Sequence, residues 1–419
     1  MKKLLYLACS LVLVLTGCIK EFSSDYVVWD VNEPVFMAFN EFKESVKVNE
    51  VPQLIGEQGK ICFYNSYLYI SEPQKGIHVI DNRNPAAPKN IAFIELAGNV
   101  DLAIRNNTLY ADAYTNLAWF DISNPAKPVF KDMLEDVFKY SFPPTCNDLG
   151  IDYNLCYGPD VAKKGVVVGW KIATHKQKVE HYETDGPVYD MSTNNSSGSS
   201  TGINGSMSRF SLYKDYLYVV NRSQMDILNL AGDKPVVAAQ NIYVDWEVET
   251  IFSYKDCMFL GTPRGMSIYS VANPLVPERQ SSISHVFGCD PVVVDKDIAY
   301  VTVHSGNVCG QNVNELMLID VKDVKAPMPI ATYTMKCPKG LGIDNGLLFL
   351  CDDGLQVFRT DNPQTIMANR IAHYPGMDGY DVIPHNRVAM MISDKGLYQY
   401  DYSDLNNIKP LSELGIHKK

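Results

Sequence analysis

Four carboxylates in this chain share a local setting. Asp101, Glu249, Asp290 and Asp381 stand in "VDLAI", "VETIF", "CDPVVV" and "YDVIP", each opening a short apolar run. Brought to one rim, such groups suit two chemistries. They can act as oxygen ligands converging on a hard cation such as Ca²⁺. They can equally accept hydrogen bonds from the N–H groups of adjacent turns. Both readings stay open; the metal is unknown, and Ca²⁺ is the cofactor such a rim would take. Other catalytic signals are thin. No GxSxG, HExxH, phosphate loop or dinucleotide fingerprint occurs. Among the histidines, His78 falls mid-strand and His417 in the tail, while His304 and His385 fall in a loop and a hairpin. A net charge of −11 and the lack of any basic run interleaved with aromatics exclude nucleic acid as a partner.

The elements that must carry these carboxylates repeat. Tyr69, Tyr110, Tyr218, Phe259, Tyr300, Phe349 and Met390 form a ladder in short apolar strands, and four of its six intervals are 41 residues. Asp81, Asp121, Asn229, Ser270, Asp320, Arg359 and Asp401 follow as a second ladder, each ending an apolar run. Pro85, Pro125, Pro235, Pro274, Pro327 and Pro363 come shortly after and close the strand, because proline lacks an N–H and fixes φ. Each unit divides into four short strands; in the second these are "DLAIRN", "TLYADAY", "NLAWFDI" and "PVFKDML". Four strands in about 41 residues is the grain of a β-propeller blade. The prediction is an all-β fold: a single β-propeller of seven four-stranded blades over 59–416, with a large insertion, 133–207, between blades 2 and 3. An eighth blade around "GVVVGWKIATHKQKVEHYE" is the alternative count.

Both enlarged loops, 133–207 and "HSGNVCGQNVN" in blade five, belong to the face that carries the second-to-third strand loops, termed the top face below. That placement predicts two disulfides, Cys289 with Cys309 and Cys337 with Cys351, clamping top loops to their own blades. Cys146 with Cys156 is a weaker third pairing. Cys62 and Cys257 fall on inner strands as free thiols, and no CxxC or zinc-type spacing is present.

Residues 1–18 are set apart as a targeting segment: Lys2 and Lys3, then "LLYLACSLVLVL", then "LTGC". "LTGC" resembles the bacterial lipobox, which implies cleavage before Cys18 and acylation of its thiol. Ile19, where some lipoproteins carry Asp, then implies sorting to the outer membrane, with 19–58 as a lead segment. The runs "GIHVID", "LAWFDISNP" and "LMLID" resemble the LVIVD repeat of secreted and lipid-anchored bacterial propellers, over about 60–415. Ser270 and Arg359 depart from the closing Asp of that pattern. The resemblance implies a fold and an address but no agreed activity. The expected function is therefore a non-enzymatic module, lipid-anchored in the envelope, whose top face binds a protein or glycan. The alternative is a metal-assisted hydrolase or lactonase-like enzyme using the carboxylate rim. The membrane is engaged through the lipid anchor alone, and the sequence leaves the oligomeric state open.

Overall fold

The computed structural model describes residues 26–57, 59–139, 141–157, 160, 163–178, 203–204, 206–207, 209–284, 291–304 and 313–416. Seven sheets succeed one another along the chain, spanning 61–95, 102–134, 210–248, 250–284, 292–334, 341–374 and 379–415. Each is an antiparallel meander with its first strand innermost. In blade three the second and third strands run on as Tyr216–Asn229. Residues 216–219 pair with the inner strand and 222–229 with the outer one, so the chain folds back at Arg222, a left-handed residue (φ 54°).

Local chemistry explains why each unit folds alike. The hairpin between inner and second strands turns on left-handed residues, for example Asn106 (φ 49°) and Asn107 (φ 58°), the backbone that matches strand twist. The second of these turn positions then offers its carbonyl to the residue just past the third strand. Asn82, Ile122, Leu230, Val271, Val321, Thr360 and Tyr402 donate their N–H groups to Ser66, Asn107, Asp215, Asp256, Asp297, Gly346 and Arg387. The second ladder is a set of caps: Asp121 Oδ1 accepts from Ser123 N (2.9 Å), and Asp81, Asn229, Ser270, Asp320 and Asp401 make the same bond. Arg359, which lacks an acceptor, is the exception. A second cap follows in six blades, as where Asn124 Oδ1 accepts from Ala126 N (3.2 Å). The recurring "D-x-x-N-P" is thus a double side-chain-to-backbone turn.

Packing closes the ring. Seven clusters of buried apolar side chains lie one at each interface between neighbouring blades. In the third strand of blade two, Ala118 and Phe120 face blade one, while Leu117 and Trp119 face Phe210, Leu217 and Leu228 of blade three. All four are buried, because both faces of a blade are covered by neighbours. Ile61, Leu68 and Ile70 of blade one meet Ile383, Met390 and Ile392 of blade seven. The blade count is seven.

The segment weighed as an eighth blade does something else. Val166–Lys178 pairs antiparallel with Tyr26–Met37, forming a two-stranded ribbon from the lead segment and the insertion. A short helix, Phe39–Glu44, follows, and Lys47–Asn49 adds an outermost strand to blade one. Phe42 packs on Tyr114 at a ring separation of 6.0 Å, with Leu96 and Val166 in the same cluster. Tyr114 sits between the second and third strands of blade two, so the ribbon's base rests on the top face. Among the described residues, no helix is long and apolar enough to cross a membrane.

Candidate functional site

Strand register defines the channel mouth. Each ladder residue pairs with an inner-strand residue seven positions earlier, and the residue two before that stands at or next to the start of the inner strand, or two residues inside it in blade seven. The seven equivalent opening positions are Lys60, Asp101, Arg209, Thr250, Pro291, Gly340 and Asp381. Two of the expected carboxylates, Asp101 and Asp381, hold this position. Glu249 falls one residue early, and in a strand a one-residue offset reverses the side chain. It is half-buried, and Thr250 takes the ring position in its place. Asp290 lies outside the described residues. Among the described residues, the mouth carries a ring in which Lys60 and Arg209 alternate with Asp101 and Asp381.

These groups are buried and mutually compensated. Asp101 is 0% exposed, Asp381 2%, Lys60 1% and Asp112, on the second strand of blade two, 2%. Arg209 Nη2 lies 3.3 Å from Asp112 Oδ2, and Arg209 Nε 3.9 Å from Asp101 Oδ2. Lys60 Nζ donates to Tyr380 Oη at 2.6 Å and acts electrostatically on both Asp101 and Asp381. Asp112 Oδ1 accepts from Val100 N and Asp101 N, both at 2.7 Å, and from Asn99 Nδ2 at 3.0 Å. Burial pushes Asp112 up to about 6 against the pull of Arg209 and these donors. Burial likewise pushes Asp381 up to about 6, against Lys60 and backbone N–H groups. Asp101, wholly buried, is raised well above the usual carboxylate range. Its Oδ2 and Arg209 Nε have no hydrogen-bond partner among the described residues.

The end of the insertion reaches the mouth. Ile203 and Asn204 pair with Phe63 and Cys62 of blade one's inner strand. Ser206 then meets the neighbouring blades seven and six: its N–H donates to Asp381 Oδ1 (3.1 Å), and its Oγ accepts from Leu341 N (2.8 Å). Arg209 then opens blade three, across the ring from blades six and seven. Gly340 makes room for this arrangement, since a Cβ there would stand 2.4 Å from Asp381 Oδ1. A hard cation needs converging oxygens with no competing positive charge. Here a lysine and an arginine already serve the carboxylates, and no group of three metal-ligating side chains occurs among the described residues. The described residues of the mouth do not by themselves form a Ca²⁺ site.

The cysteine expectations fare unevenly. Cys18, Cys289 and Cys309 lie outside the described residues. Cys337 and Cys351 are free thiols, which corrects the second clamp. Cys351 is turned into the interface with blade seven, against Gly379, with Phe349 and Val382 in the same cluster. Cys337 stays half-buried in the connector, where its N–H donates to Asp352 Oδ1 (2.6 Å). Cys146 and Cys156 are also free, as are Cys62 and Cys257.

The LVIVD repeat family matches residues 99–136, the whole of the second sheet with its flanks. Blade two is an LVIVD repeat. Its closing "FDISNP" supplies the double cap described above, at the end of the third strand. Other blades of the propeller carry the same caps with looser sequence. No curated protein matches the chain. Among solved structures, one described as a periplasmic gluconolactonase of Pseudomonas aeruginosa is similar at a TM-score of 0.53 and 11% identity. The match covers 89% of this chain and 97% of that one. The computationally designed Ika8 protein gives a TM-score of 0.48 at 8% identity, over 88% of this chain and 92% of that one. At such identities the likeness is one of fold alone.

Proposed function

We propose that this protein is a lipid-anchored propeller of the outer membrane, tethered through Cys18, that binds an envelope or surface protein or glycan on its top face and performs no chemistry of its own. The observation that carries the reading is the contrast across that face. At the channel mouth, where a propeller enzyme would hold its cation, Ile203, Asn204 and Ser206 engage the inner strands, and Lys60 and Arg209 offset the carboxylates. Outside the mouth, Tyr243 is 71% exposed and Trp246 44%, and the Arg264 guanidinium lies 4.6 Å from the Trp246 ring. Arg264 sits in the second-to-third turn of blade four, which places the pair on the top face. Aromatic and Arg side chains of this kind dominate recognition energetics.

A second reading, metal-assisted lactone hydrolysis, draws on the fold shared with the gluconolactonase and on the unpaired Oδ2 of Asp101. The two separate in one experiment. Protein retaining Cys18 is recovered from intact cells after crosslinking, alongside a Tyr243→Ala/Trp246→Ala variant, and both are assayed for lactone hydrolysis with and without Ca²⁺. The binding reading expects a partner that the double variant loses, and no hydrolysis. Ca²⁺-dependent hydrolysis abolished by Asp101→Asn would replace it.

A further inference from the structure

The ribbon formed by Tyr26–Met37 and Val166–Lys178 is fastened at its base, at Asn32 and through His175, whose Nδ1 lies 3.8 Å from Asp152 Oδ2. Val166 and Val167 are buried at the base. Asn32 Nδ2 donates to Asn147 Oδ1 (2.9 Å) and Leu149 O (2.8 Å), and Trp170 Nε1 donates to Pro143 O (2.8 Å). Glu33 Oε1 reaches His175 Nε2 at 3.0 Å, and His175 stands opposite Trp29 in the register. The tip carries four successive apolar residues, Tyr26, Val27, Val28 and Trp29, which are 44, 54, 58 and 39% exposed. Register places Tyr26 and Val28 on one face and Val27 and Trp29 on the other. Among the described residues, the ring contacts of the tip lie within the ribbon: Lys176 Nζ is 4.1 Å from the Tyr26 ring, and Trp29 meets His175 edge-on at 5.7 Å. A two-stranded ribbon apolar on both faces is marginal in water by itself. A patch of this kind marks a surface that meets an apolar neighbour.

Chain length identifies that neighbour. Seven residues, 19–25, separate Cys18 from Tyr26. Even fully extended, the eight steps between them reach roughly 28 Å. A Cys18 carrying acyl chains therefore keeps the ribbon tip close to the bilayer surface. The composition of the tip suits that zone: Trp and Tyr rings favour the headgroup region, and Lys side chains extend from it into water. The net charge of −11 gives no attraction to anionic lipid, so contact must come from the apolar and aromatic side chains.

We infer that the ribbon tip, Tyr26 to Trp29 with Lys176, inserts into the lipid headgroup region beside the acylated Cys18 and sets the attitude of the propeller on the membrane. The inference rests on the lipid anchor proposed above. The test uses membrane-purified mature protein reconstituted into phosphatidylethanolamine–phosphatidylglycerol vesicles, with and without bromine on the acyl chains. Acylation of Cys18 is read by mass spectrometry on the same sample. The Trp29 signal is the emission difference between the protein and Trp29→Phe. Bromolipid should reduce that difference by at least half. Val27→Ser/Val28→Ser should remain vesicle-bound through Cys18 yet lose the quenching, while Tyr243→Ser, elsewhere on the surface, should keep it. Acylated, vesicle-bound protein whose Trp29 emission ignores the bromine would overturn the ribbon contact and leave the anchor standing. So would a concentration-dependent dimer in sedimentation that shields Trp29, which would assign the tip to a second copy. An unmodified Cys18 would overturn both.

Discussion

Replacing Arg209 with methionine keeps most of the side-chain volume and removes the charge. Asp112 then loses its guanidinium at 3.3 Å but keeps its bonds from Asn99, Val100 and Asp101. At an effective dielectric of about 20, the attraction at that distance is roughly 5 kcal/mol. Removing one partner of a buried pair typically costs about 3–5 kcal/mol, because the other charge stays behind uncompensated. The loss should depend on pH. Asp112 sits at about 6 in the native protein, above the ordinary 3.8. The folded chain therefore binds a proton that the unfolded chain does not, and this group's contribution to stability falls as pH rises between those values. Without Arg209 the folded pKa rises further, so the window extends upward and the variant falls further behind above pH 6. Each unit of added shift is worth about 1.4 kcal/mol. Urea melts followed by circular dichroism should show a deficit of about 3–5 kcal/mol at pH 8, shrinking to about 1 kcal/mol at pH 5. Equal deficits at both pH values, or a loss below about 1 kcal/mol at pH 8, would refute a buried, compensated ring.

Other expectations follow from the same geometry. Trp119→Ala should cost about 3–5 kcal/mol in denaturant melts, since the ring fills the interface between blades two and three; a cost under about 1 kcal/mol would contradict the register. Cys351, whose thiol is raised by burial, should resist alkylation until the protein unfolds, while Cys337 reacts in the native state. Peptide mapping that finds the two joined would contradict the packing of Cys351 against blade seven. Cys18→Ser should release the protein from the membrane fraction or leave an uncleaved precursor, and mature variant that stays membrane-bound would refute the lipid anchor.

The blades were legible because their signals are local. A ladder at 41-residue intervals, left-handed hairpin turns and acid-capped strand ends all lie within a few residues of one another, and seven copies reinforce the pattern. The mouth was half legible. Counting nine residues back from each ladder position gives Lys60, Asp101, Arg209, Thr250, Pro291, Gly340 and Asp381, so the alternating ring is written in the chain. Glu249 and Asp290, acids beside the strand starts, stand one position early in the chain, whereas Lys60 and Arg209 hold the ring positions with the opposite charge. The ribbon had no comparable signal. "VVVGWKIATHKQK" reads as a strand, but its partner begins 140 residues upstream, and pairing over that separation leaves no trace in local periodicity. The contacts of Ser206 escape for the same reason: it is an ordinary serine until the ring brings Asp381 and Leu341 beside it.

The central claim, a top face built to hold a partner around the channel mouth, is tested most directly by recovery of crosslinked partners from intact cells with Cys18 in place. Wild type should capture a defined protein or glycan. Tyr243→Ala/Trp246→Ala should lose it while folding normally, and Val276→Ser, in the turn after the third strand of blade four on the opposite face, should retain it. Capture that survives the double variant and fails with Val276→Ser would place the binding surface on the wrong side of the propeller and contradict the account.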